Sequence, residues 1–244
     1  RDNVLEGNVD EELNEACNGL IPLPGREVQG RIRFSVDPST FARQYEANIL
    51  KFEDLTPHQR KKLKECRPEK GHIHVKAPAG AGKTFLALHF MLRELKNQKA
   101  VLYFVKNLPL AVFVAKWIYT RLKRDEGGAR KRNKILSRLH FLFRPCDEGP
   151  RTIQLQPFSQ TFETETKEIP SSPCYDLLVV DEAHHVYENP ELSKVVDKYR
   201  QDETTLVLLS DSSQGKHSGV RYPDESQFQQ VRLEESVRSS ERIV

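Results

Sequence analysis

Val75-Lys76-Ala77-Pro78-Ala79-Gly80-Ala81-Gly82-Lys83-Thr84-Phe85-Leu86-Ala87 is the stretch that decides the fold. It leaves a β-rich segment, His72 to Ala77, crosses a loop of small residues and enters an apolar-periodic helix, Phe85 to Leu95. That is the layout of a phosphate-binding loop. Gly80 and Gly82 let the backbone turn tightly, so that the N–H groups of Ala79, Gly80, Ala81 and Gly82 can converge on one anion. The helix that follows adds its positive N-terminal end. Lys83 is placed to reach the β- and γ-phosphates of a nucleoside triphosphate, and the Thr84 hydroxyl to ligate Mg²⁺. The strict pattern begins with Gly where this chain has Ala77. The four-residue gap, Gly82 and the Lys83-Thr84 pair are intact.

A second segment supplies what a phosphate loop needs as partner. Tyr175 to Val180 ends in Leu177-Leu178-Val179-Val180, a buried type of strand, and runs into Asp181-Glu182-Ala183-His184-His185. Two adjacent carboxylates at the end of such a strand fit the metal-and-base edge of a nucleotide hydrolase. Asp181 is expected in the Mg²⁺ shell, and Glu182 as the group that orients and deprotonates the attacking water.

Upstream, Leu55-Thr56-Pro57-His58-Gln59 reads as a helix start, with Thr56 as N-cap and Pro57 at the first helical position. The Gln59 amide offers a donor and an acceptor, which suits the N6/N7 edge of adenine. Downstream of the phosphate loop, Ala100 to Val105 is a continuous apolar run of strand length, followed by the polar Lys106-Asn107 and a helix from Val112 to Leu122. Loops after such strands line the ligand edge of an open α/β sheet. Thr205 to Leu209 is another strand and ends in Ser210-Asp211-Ser212-Ser213-Gln214. Gln214 is a candidate contact for the γ-phosphate or the lytic water. Arg238, near the end of the chain, is a candidate guanidinium for the γ-phosphate.

The chain of 244 residues has room for one large α/β domain and an extension. It begins without Met and stops inside motif-like sequence, and is read as part of a longer protein. The net charge of +3 does not by itself imply a nucleic-acid partner. The distribution is more informative: eight Lys or Arg lie between Arg121 and Arg138, against Asp125 and Glu126. Three readings stand for that cluster: a solvated helix end, a surface for a phosphate backbone, and a nuclear import signal. Cys17, Cys66, Cys146 and Cys174 are far apart, which argues against a disulfide framework or zinc site and for a reducing compartment. No apolar run approaches a membrane span and no signal peptide is visible. The expected location is intracellular, in cytoplasm or nucleus. Residues 1–50 are expected to form an N-terminal extension of undefined role, in which Arg31 to Val36 reads as a short strand and Phe41 to Phe52 as a helix. Leu139 to Phe143 and Thr152 to Leu155 read as strands, and the Ser, Thr, Glu and Pro content of 159–173 reads as a mobile surface loop.

The order of these motifs resembles superfamily 1 helicases of the UvrD/Rep kind and their relatives, including Schlafen-type ATPase domains. The resemblance covers about Phe52 to Val244. Leu55 to Leu63 resembles the family's glutamine motif, Ala77 to Thr84 motif I, Val105 to Ala111 motif Ia, Asp181 to His184 motif II, Ser210 to Gln214 motif III and Leu233 to Ile243 motif IV. Motif III favours superfamily 1, because superfamily 2 carries Ser-Ala-Thr there. Val237 stands where the family has Tyr, and the family's base-stacking aromatic after motif III has no match in Gly215-Lys216-His217-Ser218-Gly219. The ATPase half of the resemblance is thus more complete than the strand-tracking half.

The resemblance implies a RecA-like P-loop NTPase over residues 51–244, α/β in class, with a mainly parallel sheet and helices on both faces. It implies ATP and Mg²⁺ as ligands, with Lys83, Glu182, Gln214 and Arg238 in catalysis and Thr84 and Asp181 on the metal. Lys106 and Asn107 become contacts for single-stranded DNA or RNA, and a second RecA-like domain is expected C-terminal to this one. The expected function is ATP hydrolysis in the first motor domain of a helicase or translocase. The alternative is a nucleotide-dependent regulatory switch that unwinds nothing.

Overall fold

The computed structural model describes residues 55–67, 71–124, 128–143, 149–158, 161–169, 173–211, 220, 222–223 and 225–234. All of them belong to one compact unit, Glu53–Val244. The expectations for residues 1–50, including the strand at Arg31 to Val36, lie outside the described residues, as do Gln214 and Arg238.

The unit is built on an eight-stranded sheet in the order β5-β4-β3-β2-β6-β7-β1-β8. Its strands are β1 (His72–Ala77), β2 (Val101–Phe104), β3 (Leu139–Leu142), β4 (Arg151–Phe158), β5 (Thr161–Glu168), β6 (Leu177–Val180), β7 (Thr205–Asp211) and β8 (Phe228–Arg232). The run β3-β2-β6-β7-β1-β8 is parallel throughout. β4 and β5 form an antiparallel hairpin added at the β3 side. Every residue of β2, β3 and β6 is buried. The short apolar runs Val-Leu-Tyr-Phe, Leu-His-Phe-Leu and Leu-Leu-Val-Val are therefore strands covered on both faces, as parallel sheets require.

The helices among the described residues are α1 (Pro57–Glu65), α2 (Lys83–Lys96), α3 (Leu108–Arg124), α4 (Ala129–Leu136), α5 (Ala183–Glu188) and α6 (Pro190–Tyr199). Strand alternation sorts the core into two layers. Leu102, Phe104, Leu178, Val180, Leu206 and Leu208 pack with Ala183 and Val186 of α5 and with Val196 and Tyr199 of α6. Val101, Tyr103, Leu177, Val179, Val207 and Leu209 have the opposite parity and are also buried. They serve the other face, where α2 packs along β1, β2, β6 and β7. Helices on both faces of a mainly parallel sheet are the RecA-like arrangement expected from the sequence.

α1 begins where Thr56 and Pro57 place it. The Thr56 hydroxyl accepts the Gln59 N–H, and Gln59 Oε1 accepts the Thr56 N–H at 3.0 Å, a reciprocal capping box. One polar pair sits in the sheet itself. His74 Nε2 lies 2.8 Å from Ser210 Oγ, linking β1 to β7, with the His74 ring edge-on to Tyr222 and Phe228. Burial, with Lys76 nearby, pushes the His74 pKa down to about 3.

Two regions differ from expectation. Residues 161–168 are not a loop: β5 pairs with β4 over its whole length, from Arg151 opposite Glu168 to Phe158 opposite Thr161. The Ser/Thr/Glu composition hid a strand whose Thr164 and Thr166 alternate with charges, and β-branched residues suit that conformation. The basic cluster divides. Arg121 is buried, its guanidinium 4.4 Å from the centre of the Trp117 ring, and Arg132 of α4 stacks at 4.7 Å over Tyr119. Arg121 thus stacks within α3 and Arg132 packs α4 against α3, whereas Lys123, Arg130, Lys131 and Lys134 are exposed.

Candidate nucleotide site

β1, β2, β6 and β7 are adjacent parallel strands, so their carboxyl ends open on one edge of the sheet. β1 ends in the phosphate loop. Gly80 and Gly82 have φ of +79° and +86°, the left-handed region where only Gly is unstrained. Gly82 caps α2 without any side-chain hydrogen bond, and no acidic residue stands in the first turn. The N-terminal end of α2 therefore carries neither a side-chain cap from Gly82 nor a carboxylate, which suits an anion. A Cβ at Gly82 would run into the Gln59 amide.

Lys83 is buried at the start of α2. Its ammonium donates to the carbonyls of Ala77 at 2.9 Å and Pro78 at 3.2 Å, and lies 4.0 Å from Asp211 Oδ2. Asp181 follows β6 and is also buried. Its Oδ1 accepts the Glu182 N–H at 3.0 Å, and its Oδ2 accepts the Tyr103 hydroxyl at 2.8 Å. Burial raises the Asp181 pKa, while the Tyr103 hydrogen bond and the Lys83 charge oppose that rise. Burial also raises Tyr103 well above the usual phenol range, and Asp181 adds to it.

Glu182 has φ +46° and ψ +45°. A left-handed non-glycine residue costs about 1–3 kcal/mol, and such strain gathers at functional positions. Glu182 Oε2 lies 3.5 Å from His184 Nε2. His184 Nδ1 in turn accepts the Asp211 N–H at 3.4 Å. The end of β6 is therefore tied to the end of β7, and Asp211 brings that tie to Lys83.

A glycine-turned helix end without a side-chain cap, a buried ammonium, carboxylates at the ends of β6 and β7, and Thr84 in the first turn of α2 are a donor set that fits a polyphosphate and a hard divalent cation. The comparison with known families agrees. The profile of ResIII, the type III restriction enzyme res subunit, matches residues 52–210, more than half of the chain. The chain belongs to the ResIII family. It is a helicase-type nucleoside-triphosphatase domain. No curated protein matches it. Among solved structures it is similar to the helicase domain of Hef from Pyrococcus furiosus, at 16% identity and a TM-score of 0.41, over 76% of this chain and 39% of that one. It is also similar to the Pif1 helicase from Candida albicans, at 13% identity and a TM-score of 0.39, over 78% of this chain and 42% of that one. The chain spans less than half the length of those two helicase chains.

The remaining expected residues of the ResIII domain fall as follows. Ala79, Gly80, Ala81 and Thr84 lie in the loop and first helical turn with Lys83. Gln59 is 3% exposed, and both ends of its amide are engaged: Oε1 by Thr56, and Nε2 by the Ala81 carbonyl at 3.0 Å. In this arrangement Gln59 braces the phosphate loop. Lys106 and Asn107 are exposed at the carboxyl end of β2, next to the β6 end that carries Asp181. Asn107 Oδ1 accepts the Leu110 N–H at 3.0 Å and so caps α3. Sequence reasoning missed Tyr103, which looked like one more apolar strand residue. It also passed over Asp211 and His184 as contacts. Asp211 ends β7 and His184 sits in the first turn of α5 just after β6, so only the pairing of neighbouring strands brings them together.

Proposed function

We propose that this domain binds ATP with Mg²⁺ and hydrolyses it, as the first motor domain of a superfamily 1-type DNA or RNA helicase or translocase. The observation that carries the reading is the convergence of Lys83, Asp181 and Glu182 at the carboxyl edge of one parallel sheet. The α2 N–H groups and Lys83 hold the triphosphate. Lys83 exchanges the Ala77 and Pro78 carbonyls for phosphate oxygens, which are stronger acceptors because they are charged. Thr84 and Asp181 would hold Mg²⁺, which would supply positive charge against the triphosphate. Glu182 takes the proton of the attacking water at its carboxylate. Gln59 serves adenine by releasing the Ala81 carbonyl or by fixing the loop beneath the base. Gln214 senses the γ-phosphate, and Arg238 stabilises charge in the transition state.

Closer kinship with UvrD/Rep and Schlafen-type domains is part of the same proposal. It is supported by Ser210-Asp211 at the end of β7, where Asp211 faces Lys83 and meets His184. The proposal includes single-stranded nucleic acid as partner, read by Lys106 and Asn107, and a second RecA-like domain following this one. It also includes an intracellular site of action. No helix among the described residues is long and apolar enough to cross a membrane.

The test is steady-state ATPase activity of the full-length protein with and without single-stranded DNA and RNA, at two salt concentrations. Stimulation by one polymer, weakened by salt, supports a motor and names its track. Turnover indifferent to both polymers supports the switch reading instead. The Asn107 oxygen already spent on capping α3 is the observation that favours that second reading. Absence of nucleotide binding refutes both.

A further inference from the structure

We propose that Tyr103 is a positioning residue for the metal-binding carboxylate, fixing Asp181 from the neighbouring strand so that one oxygen arrangement is presented to Mg²⁺. The inference rests on the ATP·Mg²⁺ reading of the site. Tyr103 lies in the middle of β2, between residues that are all buried and apolar, Val101, Leu102, Phe104 and Val105. A Phe there would fill the same layer and need no partner. The hydroxyl instead reaches 2.8 Å to Asp181 Oδ2, between residues 78 apart in sequence.

The geometry explains how the contact arises. Tyr103 is in register with Val179 of β6, and Asp181 is two residues beyond Val179, so both side chains rise on the same face. β2 also holds Asp181 by its backbone, because the Asp181 N–H donates to the Phe104 carbonyl at 2.9 Å. On its other side the Tyr103 ring meets Phe141 of β3 edge-on, 6.3 Å between centres and in register. Phe141 therefore backs Tyr103, and Tyr103 backs Asp181. With Glu182 N–H on Oδ1 and the phenol on Oδ2, neither oxygen can swing without breaking a bond. Groups that orient a metal ligand in this way set metal affinity, commonly by about 10–100-fold.

The test is Tyr103→Phe in the full-length protein, read by binding of a fluorescent ATP analogue titrated with Mg²⁺ and, separately, without metal. The expected result is a rise of roughly tenfold or more in the Mg²⁺ concentration at half-saturation, with metal-free nucleotide binding unchanged. In an Asp181→Asn background the second substitution should add nothing to the Mg²⁺ requirement. A Mg²⁺ midpoint equal to wild type overturns the inference. Equal weakening with and without metal also overturns it, since that is what a merely structural tyrosine would do. If Tyr103→Phe does not fold, 3-fluorotyrosine at position 103 keeps the ring and hydroxyl, adds one small fluorine and makes the hydroxyl a stronger donor to Asp181. A midpoint that moves upholds the role and one that stays overturns it. Failure of wild type itself to bind the nucleotide would refute the functional reading, a different outcome from a wild type that binds and a variant that matches it.

Discussion

The Gln59 side-chain amide donates to the Ala81 carbonyl across 3.0 Å, so a helix outside the sheet holds the backbone of the phosphate loop. Gly82 makes this possible, because any Cβ at that position would collide with the same amide. Gly82→Ala should therefore cost nucleotide affinity by at least tenfold and lower the melting temperature. Adding Gln59→Ala should relieve the collision but not the strain of φ +86°, leaving partial recovery. Equilibrium nucleotide binding and thermal melts on the single and double variants check this. Full recovery would mean that the collision alone mattered.

Lys83→Ala should abolish ATP binding or turnover, and by removing the ammonium from the Ala77 and Pro78 carbonyls it should also loosen the loop. Hydrogen exchange of the loop amides separates the two effects. Turnover that survives the substitution would move the site elsewhere.

Glu182→Gln should retain nucleotide binding and lose hydrolysis by 100-fold or more, in the range of a general base. Glu182→Gly should lose hydrolysis as well, but gain stability through relief of the left-handed backbone, by about 1 kcal/mol. Single-turnover kinetics and chemical denaturation read these. Equal loss of binding and hydrolysis in the Gln variant would remove Glu182 as the base.

His74 predicts an acid sensitivity. Its folded pKa is held near 3, below its ordinary value of 6.5, so the unfolded chain binds the proton more readily. Stability conferred by neutral His74 is present above pH 6.5 and is lost as pH falls from there toward 3. The slope is at most about 1.4 kcal/mol per pH unit. His74→Asn should flatten that slope even though it costs stability at neutral pH. Denaturation midpoints between pH 4 and pH 7 give the comparison, and an unchanged slope would assign the acid sensitivity to other groups.

Cysteine chemistry offers a test of the core. Cys66 is buried and burial pushes its thiol up to about 11, while Cys174 is exposed. Alkylation at pH 8 followed by peptide mass spectrometry should modify Cys174 and spare Cys66 until denaturant is added. Early modification of Cys66 would show that α1 leaves the core readily.

The glycine loop and the carboxylate pair at the strand ends were legible because their signals are local. Glycine spacing, the Lys83-Thr84 pair and an apolar run ending in two carboxylates all fall within single segments of sequence. The N-cap at Thr56 was equally readable, but the reciprocal bond from Gln59, read from sequence as an adenine contact, was not. What stayed hidden depends on pairing across the sheet. Tyr103 meets Asp181 only because β2 and β6 are neighbours, and His184 meets Asp211 only because β6 and β7 are. Composition misled at β5, where Thr and Glu suggested a loop although alternate residues faced one side. The charge count between Arg121 and Arg138 concealed Arg121 and Arg132, whose planar heads serve packing on aromatic rings.

The β4–β5 hairpin closes one rim of the sheet, and the residues it turns outward bear on how the protein behaves in bulk. Thr164, Glu165, Lys167 and Glu168 are all exposed on the last strand in the order. Another chain approaching that rim to add a strand would have to desolvate this row of charges, which disfavours edge-to-edge polymerisation. Colloidal behaviour is thereby separated from the chemistry at the carboxyl ends of β1, β6 and β7. Neutralising the charged row should promote precipitation at high concentration while leaving nucleotide binding as it was.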